Sequence, residues 1–507
     1  MNIATVFEET VYRRPDHPAL VFKGEKYSYK RLNETINRLA NGLRKLGMKK
    51  GDTLAILLPN SPLGVFSFYA GLKVGAISVC LNPMLKGKEL KTILMNSKAK
   101  VFITHFDCFK SLKPGLKDLK DLKEILLIDG PEEMEGVLSF GWVTRDSSSE
   151  FVALDVEADD PAIIIYTSGT TGLPKGALFT HDGLLTCIDG LMLLLGELSN
   201  DDRLLSVVPL SSSLSIAGVM IPGFLKGATV YLHERFDPKD YVTAIRENKI
   251  TIFMAVPTIY FELNAFPGLN EKDFQSVRFA GSSGAPLPPE VRRQFEKRVG
   301  KEITQFYGNT ESTRLLVSDP MNGERRPESI GKALPDVALK ILDPGGREVP
   351  IGEAGEVCAR FPGGMIAYWN NPKETGNALQ NGWLHTGDIG KLDKDGFLYL
   401  LDRKSDMMIV GGFNVFPAEI ENILHMDPRV KEAAIVGMTD ERLGEIPMAF
   451  VVLKKGVQAT GEELIEIARK KLAKYKAPRK IQFVEDIPKN PAGKVLKRVL
   501  RERYRLP

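Results

Sequence analysis

Residues 166–176 read Tyr-Thr-Ser-Gly-Thr-Thr-Gly-Leu-Pro-Lys-Gly and directly follow the apolar run 162–166. Hydroxyls at Thr167, Ser168, Thr170 and Thr171 offer donors, Gly169 and Gly172 permit positive φ and close backbone approach, and Lys175 adds a cation. Those residue types at that spacing suit a loop that cradles phosphate. It is not a Walker A loop, which needs Gly-Lys-Ser/Thr, because Pro174 precedes Lys175 and Gly176 follows it. The bland alternative is an ordinary Gly/Thr turn.

Five further segments carry chemistry-bearing side chains. In 305–311 (QFYGNTE), Tyr307 could stack on a flat base, Thr310 could bond a phosphate and Glu311 could ligate a Mg²⁺ that arrives on its substrate. Segment 280–286 (AGSSGAP) superficially resembles a nucleophile elbow centred on Ser283, but Ala285 stands where the elbow needs Gly, so a Gly-rich strand end approached by a ligand is the preferred reading. Segments 382–388 (GWLHTGD) and 402–417 (DRKSDMMIVGGFNVFP) contribute Asp388, suited to accept two ribose hydroxyls, and Arg403, suited to a ribose or phosphate contact. Last, 488–494 (PKNPAGK) places Lys494 in a Pro/Gly-bounded loop, a lysine suited to reach a centre that develops charge. Taken singly, each has a plain reading as a turn residue or a solvated charge.

These loops need a scaffold that brings distant segments together, and the 507 residues are enough for more than one domain. The runs 55–58, 76–80, 101–104, 125–128, 162–166, 229–232, 252–255 and 277–280 read as buried strands, alternating over the first 400 residues with amphipathic helices such as 29–46. That pattern predicts an α/β fold, a large N-terminal domain of layered α/β sheets over 1–403. The remainder, 404–507, reads as a small α+β C-terminal domain with strands at 433–436, 449–453 and 481–484, a helix at 462–475 and a basic terminal helix. Its 19 basic against 14 acidic residues from 405 onward carry the whole net charge of +4. So small a net charge disfavours nucleic acid as a partner. No window approaches a membrane span, the N-terminus has no basic-then-apolar signal, and four scattered cysteines fit neither a disulfide framework nor a zinc site, so a cytoplasmic protein is expected.

In their order, YTSGTTGLPKGA, QFYGNTE, GWLHTGD, DRKSDMMIVGGFNVFPAEIE and PKNPAGK resemble the motifs of the acyl-adenylate-forming superfamily, over nearly the whole chain, and most closely those of fatty or aromatic acid CoA ligases. The resemblance implies a two-step, AMP-forming ligation: carboxylate and MgATP give acyl-AMP and pyrophosphate, then the CoA thiol displaces AMP. It further implies that Thr167 to Lys175 hold the β- and γ-phosphates, Thr310 the α-phosphate and Glu311 the Mg²⁺. Tyr307 would pack on adenine beside the Gly284 and Ala285 backbone, with Gly308 and Asn309 lining the nucleotide site and Asp388 and Arg403 on the ribose. Lys494 would bridge carboxylate and α-phosphate, offsetting repulsion between two anions, and no general base is needed because the carboxylate is already ionised. The C-terminal domain would be mobile, swinging about position 405 to exchange Lys494 for the 410–413 loop.

Two departures stand out. The pivot is Ser405 where relatives commonly carry Asp or Lys, and 211–213 are all Ser where relatives carry an aromatic residue or His near the acyl pocket. Segment 204–231 holds no acidic residue to capture an amino-acid ammonium, which favours an apolar or aromatic acid. Alternatives within reach of the sequence are loading of a phosphopantetheine carrier protein instead of CoA, a non-catalytic nucleotide-binding relative, and a serine hydrolase using Ser283. A homodimer and contact of the basic C-terminal face with anionic lipid are both compatible with the sequence.

Overall fold

The computed structural model describes residues 2–130, 134, 136–167, 174–196, 198–326, 328–489 and 495–504. Among them the strands form four sheets. The eight-stranded sheet has Thr53–Leu57 near its centre, paired in parallel with Ile77–Cys80 and Ala99–Thr104. Its strands read as continuous apolar runs because helices cover both faces. The nine-stranded sheet is parallel through Pro18–Phe22, Thr229–Leu232, Arg203–Ser206, Ile252–Ala255, Phe279–Ser282 and Ile303–Tyr307. Every predicted strand of this region is found within two residues of its expected bounds.

Between the two large sheets lies one core. Leu54 and Ile56 from one side and Leu204, Val230 and Ile252 from the other meet helices Tyr29–Lys45, Pro62–Lys73 and His181–Leu195 in a single apolar cluster. Tyr29–Lys45 forms where expected: Ser28 accepts from the Arg31 amide, and Leu32, Ile36, Leu39 and Leu43 recur on the buried face. Pro62–Lys73 is buried all round, so it shows no amphipathic stripe at all.

The α/β alternation does not run to residue 400 as expected. Over 338–403 the chain forms an antiparallel five-stranded sheet, Ala338–Leu342, Gly355–Arg360, Trp383–Leu392, Leu379–Gln380 and Leu398–Arg403, interrupted only by the short helix Pro372–Ala378. Trp383–Leu392 alternates half-buried with buried positions over its first half, the mark of one face covered better than the other.

The last sheet is centred on Gly444–Leu453, flanked by Val430–Asp440, the hairpin Met408–Val410 and Phe413–Val415, and the parallel strand Lys480–Phe483. Helix Gly461–Lys471 opens on a reciprocal Thr460/Glu463 cap and ends four residues before the expected 475. Leu472 is already extended, and beyond it Tyr475 stacks on Phe413 at 4.8 Å. Exposed Ser405 sits in the turn between the third sheet and this one. The chain is thus a large N-terminal α/β domain with a small C-terminal α+β domain. No helix among the described residues is long and apolar enough to cross a membrane.

Candidate active site

The antiparallel strands Pro161–Tyr166 and Gly176–Thr180 bracket the Gly/Thr loop and bring its two ends together. At the mouth the Thr167 amide donates to the Lys175 carbonyl at 2.8 Å, and Thr167 Oγ1 is buried with no hydrogen-bond partner among the described residues. Ser168, Gly169, Thr170, Thr171 and Gly172 lie outside the described residues, as does Lys494.

Lys175 reaches across to a part of the chain 199 residues away. Its ammonium meets Glu374 Oε2 at 2.8 Å and lies over the Tyr368 ring, 4.7 Å from the centroid. The ion pair holds the Glu374 carboxyl below its ordinary pKa. Tyr368 in turn donates its hydroxyl to Glu311 Oε1 at 2.6 Å, and burial, reinforced by the Glu311 charge, pushes the phenol pKa up so that it stays a donor. Lys175, Tyr368 and Glu311 therefore stand in one contiguous polar line. Neither Tyr368 nor Glu374 was singled out from the sequence; only the short strand Ala367–Tyr368, pairing with Gly176–Thr180, brings them here.

A second line joins Tyr307, Asp388 and Arg403. Asp388 and Arg403 are directly opposite one another on neighbouring antiparallel strands, and Arg403 Nε meets Asp388 Oδ1 at 2.6 Å. Tyr307, at the end of Ile303–Tyr307, donates to the other oxygen, Oδ2, at 2.6 Å. Burial first, then the Asp388 charge, carries the Tyr307 pKa well above the ordinary phenol value. Burial opposes the Arg403 charge, but Asp388, Tyr307 and Glu311 outweigh it and its pKa is raised. The Glu311 charge also acts on Arg403, so the two polar lines are electrostatic neighbours.

The turn after Tyr307 is fixed by contact. A Cβ on Gly308 would stand 2.3 Å from the Arg314 carbonyl oxygen, so only glycine fits. Asn309 Oδ1 accepts from the Ser312 amide at 2.8 Å while its Nδ2 is buried with no partner among the described residues. This turn presents Thr310 and Glu311, and the Glu311 carbonyl is held by the Met365 amide at 2.9 Å.

Beside it lies a pocket whose apolar lining includes Leu191, Leu214, Ala217, Met254 and Phe306, with Ser283 and Arg314 among its polar members. The wall carrying Ala217 and Gly218 is a π-helical turn, Ile216–Met220, an irregularity common at functional sites. The serine run now has structural roles. Ser212 Oγ caps the following turn by accepting from the Ser215 amide at 3.2 Å, and Ser213 lines the pocket. No hydrogen bond joins Ser283 to a histidine among the described residues; its amide donates to the Ala255 carbonyl at 3.2 Å. Gly284 follows with φ +86°, a turn and not a strained elbow, and Ala285 is exposed beside it.

This geometry has relatives. A family model described as "AMP-binding enzyme" matches residues 7–369, and one described as "AMP-binding enzyme C-terminal domain" matches 419–494. A feruloyl-CoA synthase from Amycolatopsis sp is 35% identical over 501 residues, 97% of this chain and 96% of the relative. A long-chain-fatty-acid–CoA ligase from Bacillus subtilis is 33% identical, covering 99% and 94%. The crystal structure of ATP-bound MatB from Rhodopseudomonas palustris matches with TM-score 0.91 at 30% identity over 99% of both chains, and the apo form of the same protein with 0.78 at the same identity and coverage.

The chain belongs to the AMP-binding enzyme family. Its activity is AMP-forming acid–thiol ligation, with a carboxylic acid, ATP carrying Mg²⁺ and CoA as substrates. A Mg²⁺ that comes bound to nucleotide brings phosphate oxygens as ligands and needs only one or two carboxylates from the protein, a requirement that Glu311 fits.

Proposed function

We propose that this enzyme activates an apolar or aromatic monocarboxylic acid and transfers it to CoA, with the two polar lines as its nucleotide site. What carries the reading is the convergence of Lys175, Glu311, Asp388 and Arg403, from four distant segments, beside an apolar-lined pocket. In this assignment Thr167 to Lys175 grip the β- and γ-phosphates, Thr310 the α-phosphate, and Glu311 the Mg²⁺. Asp388 accepts the ribose hydroxyls and Arg403 steadies that carboxylate while adding charge near the phosphates. Tyr307 orients Asp388 through its hydroxyl and packs its ring on the adenine, beside the backbone of Gly284, Ala285, Gly308 and Asn309.

Lys494 supplies the cation between the two reacting anions. The acid's own negative charge does the attack, so the protein's task is positioning and offsetting charge. We place the domain boundary at 403/404 with Ser405 as pivot, supported by its exposed position between two sheets. The 0.91 against 0.78 likeness to ATP-bound and apo MatB supports reading the domain arrangement as one taken with ATP bound. Four free cysteines suit a reducing, cytoplasmic location.

The relatives act on a hydroxycinnamic acid and on long-chain fatty acids by name, and the pocket residues named above suit either acyl class. Incubating the enzyme with ATP, Mg²⁺, CoA and a panel of benzoic, cinnamic and C4 to C16 fatty acids, with mass detection of the thioester, tests this. A CoA thioester and AMP in equal amounts are expected from one acid class, and polar amino acids should give none.

A further inference from the structure

We propose that Lys497, a residue outside the nucleotide site, is a positioning residue for acyl-adenylate formation: it neutralises a carboxylate cluster that straddles the pivot and so holds the strand of Arg403 and the segment after Lys494 in one arrangement. The inference rests on the ligase reading above.

Strand Leu398–Arg403 ends in two neighbours that point to opposite faces. Arg403 turns to Asp388, whereas Asp402 turns to the C-terminal domain, where its Oδ2 accepts from the Ala418 amide at 2.9 Å. Ala418 lies in the first turn of helix Pro417–His425, beyond the pivot. On that same helix Glu421 receives Lys497 Nζ at 3.0 Å and the Ile435 amide at 2.8 Å. Lys497 opens the terminal helix Lys497–Arg503 and is only 11% exposed.

Three carboxylates, Asp402, Glu421 and Asp406, act on this one ammonium. Among the described residues Arg501 is a second cation nearby, 3.9 Å from Asp406. Removing the Lys497 charge would leave the carboxylates mutually repelling in a shielded place, the costly outcome of breaking a buried pair. The anchoring is local to Lys494 as well, since the Leu496 amide donates to the Pro488 carbonyl at 2.8 Å and closes the base of the 488–496 loop.

Rotation about Ser405 leaves Asp402 on one side and Ala418, Glu421 and Lys497 on the other, so it must part the Asp402–Ala418 hydrogen bond and draw Asp402 away from the Lys497 charge, while the Lys497–Glu421 pair moves as a unit. The cluster therefore weights the chain toward the arrangement described. That arrangement resembles ATP-bound MatB, and in it Phe413, of the 410–413 loop expected to take the place of Lys494, is 58% exposed. Lys497 thus favours the half-reaction that consumes ATP over the one that consumes CoA.

The test compares wild type, Lys497→Met and Lys497→Arg in two assays, ATP–pyrophosphate exchange and acyl-CoA formation from supplied acyl-AMP. Lys497→Met should lose about tenfold or more in exchange while thioester formation stays within about threefold, and Lys497→Arg should recover most of the exchange. Equal losses in both assays, or exchange that does not change, would overturn the proposal. If Lys497→Met does not fold, Asp402→Ala, which removes the acceptor on the other side of the pivot, is read for the same split and the same contradiction. A wild-type enzyme without exchange for any acid would instead remove the ligase reading itself.

Discussion

Asp388 and Arg403 are Cα partners across two antiparallel strands, and their side chains close the pairing with a 2.6 Å ion pair on which Tyr307 also converges. Strand register, not a loop, therefore sets this carboxylate. Rigid elements hold functional geometry better than loops do.

Arg403→Ala should weaken nucleotide use more than it weakens the fold. The lost charge-assisted contacts correspond to about 2–3 kcal/mol, or about 10²-fold in kcat/KM for ATP. Steady-state kinetics with varied ATP, and AMP binding by calorimetry, check it. Tyr307→Phe, which removes one bond to Asp388 and leaves the ion pair, should cost only about tenfold or less.

Glu311→Gln keeps an acceptor for the Tyr368 hydroxyl but removes the charge that a Mg²⁺ requires. The variant should fold normally and need several-fold more Mg²⁺ for half-maximal activity. A Mg²⁺ titration at saturating ATP reads this directly, and an unshifted titration would remove Glu311 from the metal's surroundings.

Gly218→Val tests the pocket. A Cβ there already sits 3.3 Å from Leu214 Cδ1 and 3.4 Å from Met254 Sδ, and valine's branches would project further among the pocket-lining side chains. KM for the acid should rise about tenfold or more while KM for ATP stays near the wild-type value.

A pH effect follows from Asp402. Burial raises its pKa to about 6, with the nearby Lys497 charge opposing the rise. An ordinary Asp titrates near 4. Because the folded form keeps the proton to higher pH than an unfolded chain does, this group's contribution to stability declines as pH rises from about 4 to about 6, then levels off. Asp402→Asn, which still offers the Ala418 amide an acceptor, should flatten that decline. Melting temperatures of both proteins from pH 4.5 to 7.5 check the sign.

The strands at 53–57, 161–166 and 229–232 were legible because each is covered on both faces and must be apolar throughout. Which of two sheets each joins was not legible, since that depends on crossover connections that leave no local mark. The antiparallel sheet over 338–403 escaped notice because polar side chains stand at half-buried positions of its strands, Lys340 in one and Asp402 and Arg403 in another, and dilute the apolar signal. Among site residues, Lys175 was legible from the unusual Gly/Thr loop before it, whereas Glu311, Asp388 and Arg403, plain when taken singly, were legible from the order in which their segments follow one another. Tyr368 and Glu374 were missed because their meaning lies wholly in long-range contacts with Glu311 and Lys175. Asp402 carries no mark of its own in the sequence beyond strand alternation, which turns it and Arg403 to opposite faces.

In the proposed assignment this protein makes an acyl-adenylate in the site formed by Lys175, Glu311, Asp388 and Arg403. ATP–pyrophosphate exchange, with and without each acid of the panel and with Lys494→Ala alongside, tests it most directly. Exchange that depends on one class of acid, and falls about 10²-fold or more in the variant, is the predicted result. Exchange with no acid at all, or exchange untouched by the loss of Lys494, would contradict it.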